Sequence, residues 1–318
     1  MVARRFFLTG GAGFIGTHLT EALLQSGGVV ALYEKRDKKK DSSRKGVHLY
    51  PGDVRDEKVL GSALRHFRPD MVFHLAAVIS KEESVLENMF ETNVRGTLNL
   101  VNALSTLSLV GKRPRLVNLG TLDECVGGEV FPVDETSREV PISFYGLTKL
   151  METKTVEFAM RHFGLATVTV RTSIVYGPGQ EGSMFIPDCI TTLLRGETFN
   201  MSPGTQKRDF LYIDDLVSGL MALRTKTSVK GVVHLASGRP VSLSAVAAMI
   251  EAHIGLGMVK RGARPLRNGE VMVHAIDSMK AKKMLSWEPR VTLQEGLRMT
   301  VEWNKSRLSS LDRMRQKK

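Results

Sequence analysis

Two side chains with acid–base chemistry, Tyr145 and Lys149, stand four residues apart in a segment with helical patterning. At that spacing both side chains leave the same face of a helix. An ammonium group near a phenol favours the phenolate, so it lowers the pKa of the tyrosine toward a range that suits proton transfer at neutral pH. The same spacing is also common on ordinary surface helices, so its meaning depends on the elements around it.

A glycine-rich turn follows the first strand-like run and leads directly into a helical pattern. It reads Thr9-Gly10-Gly11-Ala12-Gly13-Phe14-Ile15-Gly16. Glycines let the chain turn tightly and let a pyrophosphate approach the backbone, while the helix N-terminus supplies N–H groups and a positive dipole. Because strand, glycines and helix occur in the required order, the segment predicts a dinucleotide site rather than a simple glycine-rich turn.

The choice of dinucleotide depends on the end of the second predicted strand. Glu34 follows Gly16 at the usual distance of about 20 residues for the acid that bonds the adenosine ribose of NAD. Lys35 and Arg36 come next, and a basic side chain there can pair instead with the extra phosphate of NADP. Since a carboxylate beside a phosphate is repulsive, we favour NAD as the cofactor and leave NADP open.

The elements that position these groups follow an alternating pattern. Short apolar runs alternate with longer helical patterns, which is typical of βαβ units and a parallel sheet. The predicted strands are Arg5–Thr9, Val29–Tyr33, Val47–Tyr50, Met71–Leu75, Arg115–Leu119 and Thr167–Arg171. The predicted helices between them are Phe14–Gln25, Val59–His66, Thr92–Leu107 and Tyr145–His162. We therefore expect an α/β fold with a Rossmann-type, doubly wound parallel sheet.

Turn signals after this region indicate a second, smaller unit. They are Tyr176-Gly177-Pro178-Gly179 and Met201-Ser202-Pro203-Gly204. We expect a dinucleotide-binding domain over residues 1–175, a C-terminal substrate-binding lobe over 176–305 and a charged tail over 306–318. Within the stretch 205–253, the strand-like Val232–Ala236 and the helical Leu243–His253 are candidates to return to the main sheet.

Composition excludes several classes of protein. The chain is 42% hydrophobic and 25% charged over 318 residues, which excludes a disordered, collagen-like or disulfide-rich protein. The net charge of +12 favours a solvated basic surface over a nucleic-acid site, because no aromatic residues are interleaved with the basic clusters.

Cysteine usage and hydropathy bear on location. Cys125 and Cys189, the two cysteines, lack metal-ligand spacing, so we expect no metal and a reducing compartment. No apolar stretch near the N-terminus has the length of a signal peptide or a membrane span. We therefore expect a soluble cytoplasmic protein without a membrane partner.

Further motifs run along almost the whole chain, and with them the sequence resembles the extended short-chain dehydrogenase/reductases. This group includes the NAD-dependent epimerases, dehydratases and ketoreductases of nucleotide sugars. The motifs are Gly52-Asp53-Val54-Arg55-Asp56, His74-Leu75-Ala76-Ala77, Asn93-Val94-Arg95-Gly96-Thr97, Tyr176-Gly177-Pro178-Gly179, Arg208-Asp209-Phe210-Leu211-Tyr212-Ile213-Asp214-Asp215 and Arg267-Asn268-Gly269-Glu270.

The resemblance implies roles for the acid–base residues. Tyr145 would be the acid and base on a sugar hydroxyl or carbonyl, and Lys149 would bind the nicotinamide ribose and lower the pKa of Tyr145. Thr121, in a segment similar to the family's Gly-Ser-Ser-Glu-Glu-Tyr, would complete a catalytic triad by bonding the reacting oxygen of the substrate. Hydride transfer at C4 of a nucleotide-linked hexose is the expected reaction.

The resemblance also implies binding residues for cofactor and substrate. Besides Glu34, Arg36, Tyr145 and Lys149, the cofactor contacts would be Gly10, Gly13, Phe14, Ile15, Gly16, Asp53, Val54, Leu75, Ala76, Ala77 and Asn93. Arg208 and Arg267 match phosphate-binding arginines, whose guanidinium groups suit a nucleotide diphosphate. The alternative for these arginines is a structural ion pair, for example with Asp209 or Glu270.

The sequence departs from the family pattern at two positions. Ile174 stands where an Asn usually lies near the substrate phosphates, and Cys125 replaces a common aromatic residue. Both changes concern the pose of the substrate rather than the hydride chemistry. Asp123 lies two places after Thr121, where 4,6-dehydratases usually carry the acid that protonates the leaving hydroxyl, and Glu124 follows it, so dehydration is possible. The Gly-Thr-x-Asp-Glu arrangement is more similar to that of ketoreductases and epimerases.

The reaction type therefore stays open among 4-epimerase, 4-ketoreductase and 4,6-dehydratase. An alternative of another class is a non-catalytic dinucleotide-binding or RNA-associating protein, since a fold does not determine a function. The resemblance further implies a homodimer, built from the helices Thr92–Leu107 and Tyr145–His162.

Overall fold

The computed structural model of the protein describes residues 3–35, 45–79, 85–128, 131–182 and 184–315. Seven strands form its central sheet: β1 Arg5–Thr9, β2 Val29–Glu34, β3 Val47–Pro51, β4 Met71–His74, β5 Arg115–Thr121, β6 Thr167–Thr172 and β11 Gly231–Leu235. Their order across the sheet is β11-β6-β5-β4-β1-β2-β3, and all neighbouring pairs run parallel. The predicted Rossmann-type parallel sheet is confirmed.

Helices cover both faces of this sheet. In chain order they are α1 Phe14–Gln25, α2 Glu57–Phe67, α3 Leu86–Met89, α4 Gly96–Leu109, α5 Phe144–His162, α6 Phe185–Leu194, α7 Ile213–Ala222, α8 Leu243–Ile254, α9 Met279–Leu285 and α10 Leu293–Arg315. The ends of the six predicted strands differ from the observed ends by no more than two residues. The predicted helix Thr92–Leu107 is instead a π-helical segment, Phe90–Arg95, followed by α4.

Burial explains the apolar strand sequences. Strands between two helical layers bury both faces, so nearly every residue is apolar. In β1, Phe6 and Leu8 point into one hydrophobic cluster, which the C-terminal helices share, and Phe7 points into a second cluster with α2 and α4. Side chains alternate between the two faces of a strand, so one short apolar run contributes residues to both hydrophobic clusters.

The residues after β6 contribute to the main sheet as well as to smaller sheets. Strand β11 pairs with β6, as expected for the segment that begins at Val232. The remaining strands are β7 Ile174–Tyr176, β8 Thr198–Asn200, β9 Lys207–Arg208, β10 Phe210–Tyr212, β12 Val241–Ser242 and β13 Met258–Lys260. They form the pairs β10-β7, β12-β9 and β13-β8.

Two further findings bear on the sequence expectations. Within the described ranges, no helix combines the length and the apolar character needed to cross a membrane. Cys125 and Cys189 are buried and form no disulfide.

Candidate active site

The glycine turn between β1 and α1 packs backbone against backbone. Gly10 has a φ of +70°, and a methyl group there would lie 2.7 Å from the Ala76 amide nitrogen. A methyl group on Gly16 would collide with the Gly10 carbonyl oxygen and lie 2.5 Å from the Gly11 Cα. Only glycine fits these positions, so the turn leaves the N-terminus of α1 open to an anion, as a pyrophosphate site requires.

A cavity of about 370 Å³ opens beside this turn at the carboxyl ends of the strands. Six of the predicted cofactor residues line it, namely Gly10, Gly13, Glu34, Val54, Ala76 and Ala77. The other six lining residues are Ala12, Tyr33, Lys35, Gly52, Val78 and Thr92. Of these, Lys35 was considered from the sequence only as a partner of the extra phosphate of NADP, and the other five were not predicted. Dinucleotides bind at this edge of open parallel sheets, so the cavity has the expected place for one.

Glu34 lies in the wall of the cavity, where β2 ends. Its Oε1 accepts a hydrogen bond from the Ala12 amide at 2.8 Å. The carboxylate is therefore bonded directly to the glycine turn, where the turn borders the cavity. Lys35 also lines the cavity, whereas Arg36 lies outside the described residues.

Asp53 binds basic neighbours instead of lining the cavity. Arg55 donates to its carboxylate at 2.6 and 2.9 Å, and the Lys35 ammonium is 3.2 Å away. Partial burial opposes ionisation, but the hydrogen bonds from Arg55 and the charge of Lys35 lower the pKa of Asp53 to about 2. Asp53 thus holds Lys35, a cavity residue, in place.

Three predicted cofactor residues pack against the protein rather than line this cavity. Phe14 and Ile15, in the first turn of α1, are partly buried against the core cluster, and Leu75 packs on the same cluster from the end of β4. The Leu75 amide donates to the Thr9 carbonyl at 3.0 Å. Their side chains therefore support the glycine turn and the end of β4 from the core.

A buried histidine connects the glycine strand to the π-helical segment. The Thr97 hydroxyl donates to the Asn93 carbonyl at 2.6 Å, so it accepts from Nε2–H of His74 at 2.9 Å. Nδ1 of His74 then accepts from the Thr9 hydroxyl at 2.7 Å. Burial first, and then the charge of Lys149, lower the pKa of His74 to about 3, so the ring is neutral.

Asn93 joins the cavity wall to the helix of the acid–base pair. Its Oδ1 accepts from the Val78 amide at 2.8 Å, and its Nδ2 donates to the Val78 carbonyl at 3.1 Å and to the Thr148 hydroxyl at 3.0 Å. Thr148 in turn donates to the Tyr145 carbonyl at 2.9 Å. Asn93 lies in the π-helical segment, a distortion that is frequent at functional sites.

Tyr145 and Lys149 occupy the first turns of α5, whose N-cap Ser143 accepts a hydrogen bond from the Gly146 amide. Tyr145 is half-buried and Lys149 is buried. The ammonium of Lys149 lies 2.6 Å from Oε2 of Glu152, one turn further along the helix. Glu152 was missed in the sequence, although an acid three residues after a lysine is a signal for a helical ion pair.

The expectation that Lys149 lowers the pKa of Tyr145 is wrong for this structure. Burial raises the pKa of Tyr145 well above its usual value, and the charges of Asp123, Glu152 and Glu124 add to the rise. Burial, the largest cause, and the three carboxylates together account for the difference, because the expectation considered only the ammonium of Lys149.

Thr121, at the end of β5, is held by a capping box. Its hydroxyl oxygen accepts from the Asp123 amide at 3.3 Å, and its own amide donates to Oε1 of Glu124 at 2.9 Å. Oε2 of Glu124 accepts from the Thr153 hydroxyl and from Nε of Arg171, both at 2.8 Å. The backbone position of Thr121 therefore depends on a buried polar network beneath the site.

The two candidate phosphate-binding arginines differ in burial. Arg208 is buried on β9 and pairs with Glu270, the ion pair considered as an alternative from the sequence. Asp209, the other partner considered, accepts from the Gly238 amide and from Ser237. Arg267 is exposed, and its charge acts together with burial to lower the pKa of Arg208.

Asp123 acts through its charge on both Tyr145 and Arg208. It is half-buried, and its charge raises the pKa of Tyr145 and opposes the lowering at Arg208. Ile174 is partly buried on β7, where its amide donates to the Asp209 carbonyl, and Cys125 is buried behind the Thr121 turn. Over the described ranges, no group of three or more His, Cys, Asp or Glu side chains could hold a metal ion.

Known proteins resemble the chain in sequence and in structure. Residues 6–236 match the model of the NAD dependent epimerase/dehydratase family. The sequence is 30% identical to a UDP-glucuronate 4-epimerase of Thermodesulfobacterium geofontis, and the match covers 95% of this chain and 97% of that protein.

Two solved structures are similar over nearly their whole length. The UDP-glucose 4-epimerase of Thermotoga maritima, solved with UDP-glucose, has a TM-score of 0.86 at 30% identity, covering 96% of this chain and 99% of that one. The UDP-glucose 4-epimerase of Thermus thermophilus, solved with NAD, has a TM-score of 0.84 at 28% identity, covering 95% and 99%.

Proposed function

The chain belongs to the NAD-dependent epimerase/dehydratase family, and on that premise we propose that it interconverts the C4 epimers of a UDP-linked hexose or hexuronate. The observation that carries the proposal is the position of Asn93. Its side chain bonds Val78, in the cavity wall, and Thr148, between Tyr145 and Lys149. Through Asn93, the helix of the acid–base pair is thereby joined to the wall of the cavity at the glycine turn.

NAD fits the cavity as the bound cofactor. The glycine turn would hold its pyrophosphate at the N-terminus of α1, and Glu34 would accept a hydrogen bond from the adenosine ribose. Ala76 and Ala77 would lie along the phosphates and Val54 near the adenine, with Lys149 toward the nicotinamide ribose. When bound, NAD supplies a reversible hydride acceptor for the C4 hydrogen of the sugar.

Tyr145 is the proposed acid and base of the reaction. It would take the proton of the C4 hydroxyl as the hydride leaves C4, and would return the proton to the 4-keto oxygen after the sugar has presented its other face. Thr121 would hold the same oxygen through its hydroxyl. The protein contributes orientation and proton transfer, while the redox chemistry is reversible and needs no second substrate.

Arg208 and Arg267 are the proposed partners of the UDP diphosphate. Arg208 is buried and Arg267 is exposed, so together they would present guanidinium groups from the floor and the rim of the site. Glu270 already pairs with Arg208, so a diphosphate would compete with or join that contact.

Epimerisation is favoured over 4,6-dehydration by the environment of Glu124. Dehydration needs carboxyl groups free to exchange protons with the sugar, whereas Glu124 is fully buried and bonded to the Thr121 amide, Thr153 and Arg171. Its role is structural in this arrangement. Asp123 alone would face the substrate from this turn.

A homodimer is the proposed assembly. Helices α4 and α5 pack side by side and bear exposed apolar residues on their outer faces, with Leu98, Leu147, Met151 and Phe158 each 39 to 49% exposed. Residues spaced by four and seven along a helix share one face. A second copy of the chain would cover this face, while location in the cytoplasm stays a prediction.

The test is incubation of the purified protein with NAD and either UDP-glucose or UDP-glucuronate. We expect the 4-epimer to appear, identified by NMR, with no net accumulation of NADH. Loss of water to a 4-keto-6-deoxy sugar would contradict epimerisation. Net oxidation of NADH or NADPH in a separate incubation with a nucleotide-linked 4-keto sugar, which is reduced to the 4-hydroxyl, would indicate a ketoreductase. No turnover together with salt-sensitive RNA binding would favour the non-catalytic alternative.

A further inference from the structure

A buried ion pair lies directly below the candidate acid–base residue. Lys149 and Glu152 are 3% and 0% exposed, and their Nζ and Oε2 atoms are 2.6 Å apart. The other oxygen of Glu152, Oε1, is buried and has no hydrogen-bond partner in the described part of the chain. A half-satisfied buried carboxylate is costly to a fold, so its presence at this place calls for an explanation.

Stability alone does not account for the pair. Replacing a buried ion pair by apolar residues of similar size is often neutral or stabilising, because desolvation of both charges offsets their attraction. The layer between the sheet and α5 is apolar at its other end, where Leu116 packs with Val156 and Ala159. On stability alone, an apolar pair at positions 149 and 152 would therefore pack in this layer at no loss to the folded state.

The surroundings of the pair contain the groups that transfer the proton in the proposed reaction. On α5, Tyr145 precedes Lys149 by one turn, and the charge of Glu152 raises the pKa of the Tyr145 phenol. From the turn after β5, Glu124 acts on Glu152 as a second negative charge. From β4, His74 is influenced by the charge of Lys149 and stays neutral.

We propose that Glu152 is a positioning residue for proton transfer, whose carboxylate holds the Lys149 ammonium in place and offsets part of its charge at the Tyr145 phenol. The inference rests on the proposed function and deepens it. A lysine ammonium without this partner would act on Tyr145 at full strength, and its flexible side chain would be free to leave the site. Glu152 thereby sets the pH range in which Tyr145 exchanges its proton.

The burial of Glu152 supports this assignment. Burial is the largest cause that raises the pKa of Glu152, to about 7, and the ammonium of Lys149 opposes it. The pair can therefore gain or lose its negative charge near neutral pH, which would change the field at Tyr145.

The test compares Glu152→Gln with Glu157→Gln in the full-length protein. Glu157 lies on the same helix and pairs with Lys154 and Arg161 away from the site, so its variant is a matched control. The first readout is the pH profile of kcat for the 4-epimerisation. We expect the acidic limb to move down by about one pH unit in Glu152→Gln and to stay in place in Glu157→Gln.

The second readout does not need turnover. Ultraviolet difference titration, with Tyr145→Phe as the reference, follows ionisation of the Tyr145 phenol in the protein without substrate. We expect phenolate to form at lower pH in Glu152→Gln than in the unaltered chain. The variant Glu152→Asp, which keeps the charge but shortens the side chain, should restore part of the original profile.

Identical titration curves in the unaltered chain and in folded Glu152→Gln would overturn the inference. If Glu152→Gln fails to fold, Glu152→Asp gives the same test with a smaller expected shift, and no shift there overturns the inference equally. Absence of epimerisation in the unaltered chain would refute the proposed function instead, while the titration would still decide whether Glu152 controls Tyr145.

Discussion

The guanidinium of Arg171 and the carboxylate of Glu124 form a buried ion pair, with Nε and Oε2 2.8 Å apart. Arg171 lies on β6 and Glu124 lies in the turn after β5. The pair therefore joins two neighbouring strands near their carboxyl ends, where the candidate site lies. Arg171 also contacts Glu139 at 2.6 Å. Oε1 of Glu124 also accepts a hydrogen bond from the Thr121 amide, so the geometry of the site depends on the ion pair between Arg171 and Glu124.

Removal of Glu124 is predicted to destabilise the protein strongly. Glu124→Ala would leave the Arg171 charge buried with Glu139 as its remaining carboxylate partner in the described chain, at a cost of about 3 kcal/mol. Denaturant unfolding measures the change. The control is Glu302→Ala, which removes an exposed partner of Arg298 and should cost at most about 1 kcal/mol. Equal midpoints for the two variants would contradict the prediction.

Removal of the Tyr145 hydroxyl is predicted to abolish most turnover without affecting the cavity. Loss of a positioned acid–base group lowers kcat by about 10²- to 10⁴-fold, so Tyr145→Phe should lose that much, while calorimetric NAD binding changes little. Tyr50→Phe is the control, because Tyr50 bonds His66 and lies on β3, the last strand of the sheet order, whereas the helix of Tyr145 packs on β5 and β6. Turnover of Tyr145→Phe near the unaltered level would refute the role of Tyr145.

A single methyl group on the glycine turn is predicted to block NAD. In Gly16→Ala the new Cβ would collide with the Gly10 carbonyl, and the turn must shift into the cavity. We expect NAD to bind more than tenfold more weakly, which corresponds to a loss of about 1.4 kcal/mol or more. Gly61→Ala in α2, whose new methyl meets the flexible end of Arg65 and lies at an ordinary contact distance from Ala103, should bind NAD normally. The idea fails if both variants bind alike.

Acid is predicted to destabilise the protein through buried histidine. Burial, aided by Lys149, lowers the pKa of His74 to about 3, whereas in the unfolded chain it is about 6.5. The unfolded state alone takes up the proton between these values, so stability is complete above about pH 6.5 and falls as the pH drops toward 3.

The variant His74→Gln tests this relationship, because glutamine keeps a donor and an acceptor but does not titrate. Between pH 7 and pH 5 the unaltered chain should lose about 2 kcal/mol more of its unfolding free energy than the variant. Urea unfolding at the two pH values measures the difference. His48→Gln, which changes an exposed histidine of β3, should follow the unaltered chain, and a parallel loss in all three proteins would disprove the assignment to His74.

A charge on the outer face of α5 is predicted to separate the dimer. Phe158 is 49% exposed, and Phe158→Glu would place a carboxylate in the proposed helix interface. Light scattering should give a dimer for the unaltered chain and a monomer for the variant. Met279→Glu, at an equally exposed position of α9, should remain dimeric. A monomer for the unaltered chain would refute the proposed assembly.

The strands and the glycine turn could be predicted because their signals are local. A buried parallel strand needs a run of apolar residues, and the tight turn needs glycine. Both features can therefore be recognised from a few consecutive residues. The π-helical segment could not be predicted in this way. Its irregular bonding depends on the contacts that Asn93 makes with Val78 and Thr148, which are distant in the sequence.

The electrostatics of the site were predicted less well for the same reason. Tyr145 and Lys149 form a simple pair on a helix, from which a lowered phenol pKa follows. The electrostatic field at Tyr145 also includes the charges of Asp123 and Glu124, from the turn after β5, and only the folded chain brings these residues near Tyr145. Glu152 was visible as a neighbour on the helix, but its complete burial was not.

Pairing of β11 with β6 has a consequence for any attempt to divide the chain. A fragment that stopped after β6 would carry an open parallel edge, Thr167–Thr172, whose buried side chains are matched to Gly231–Leu235. Unpaired edges of this kind invite association with other chains. Grafting a foreign substrate lobe onto this protein would therefore require replacement of the internal segment of strands and helices between β6 and β11, with both junctions retained, rather than fusion at a single cut.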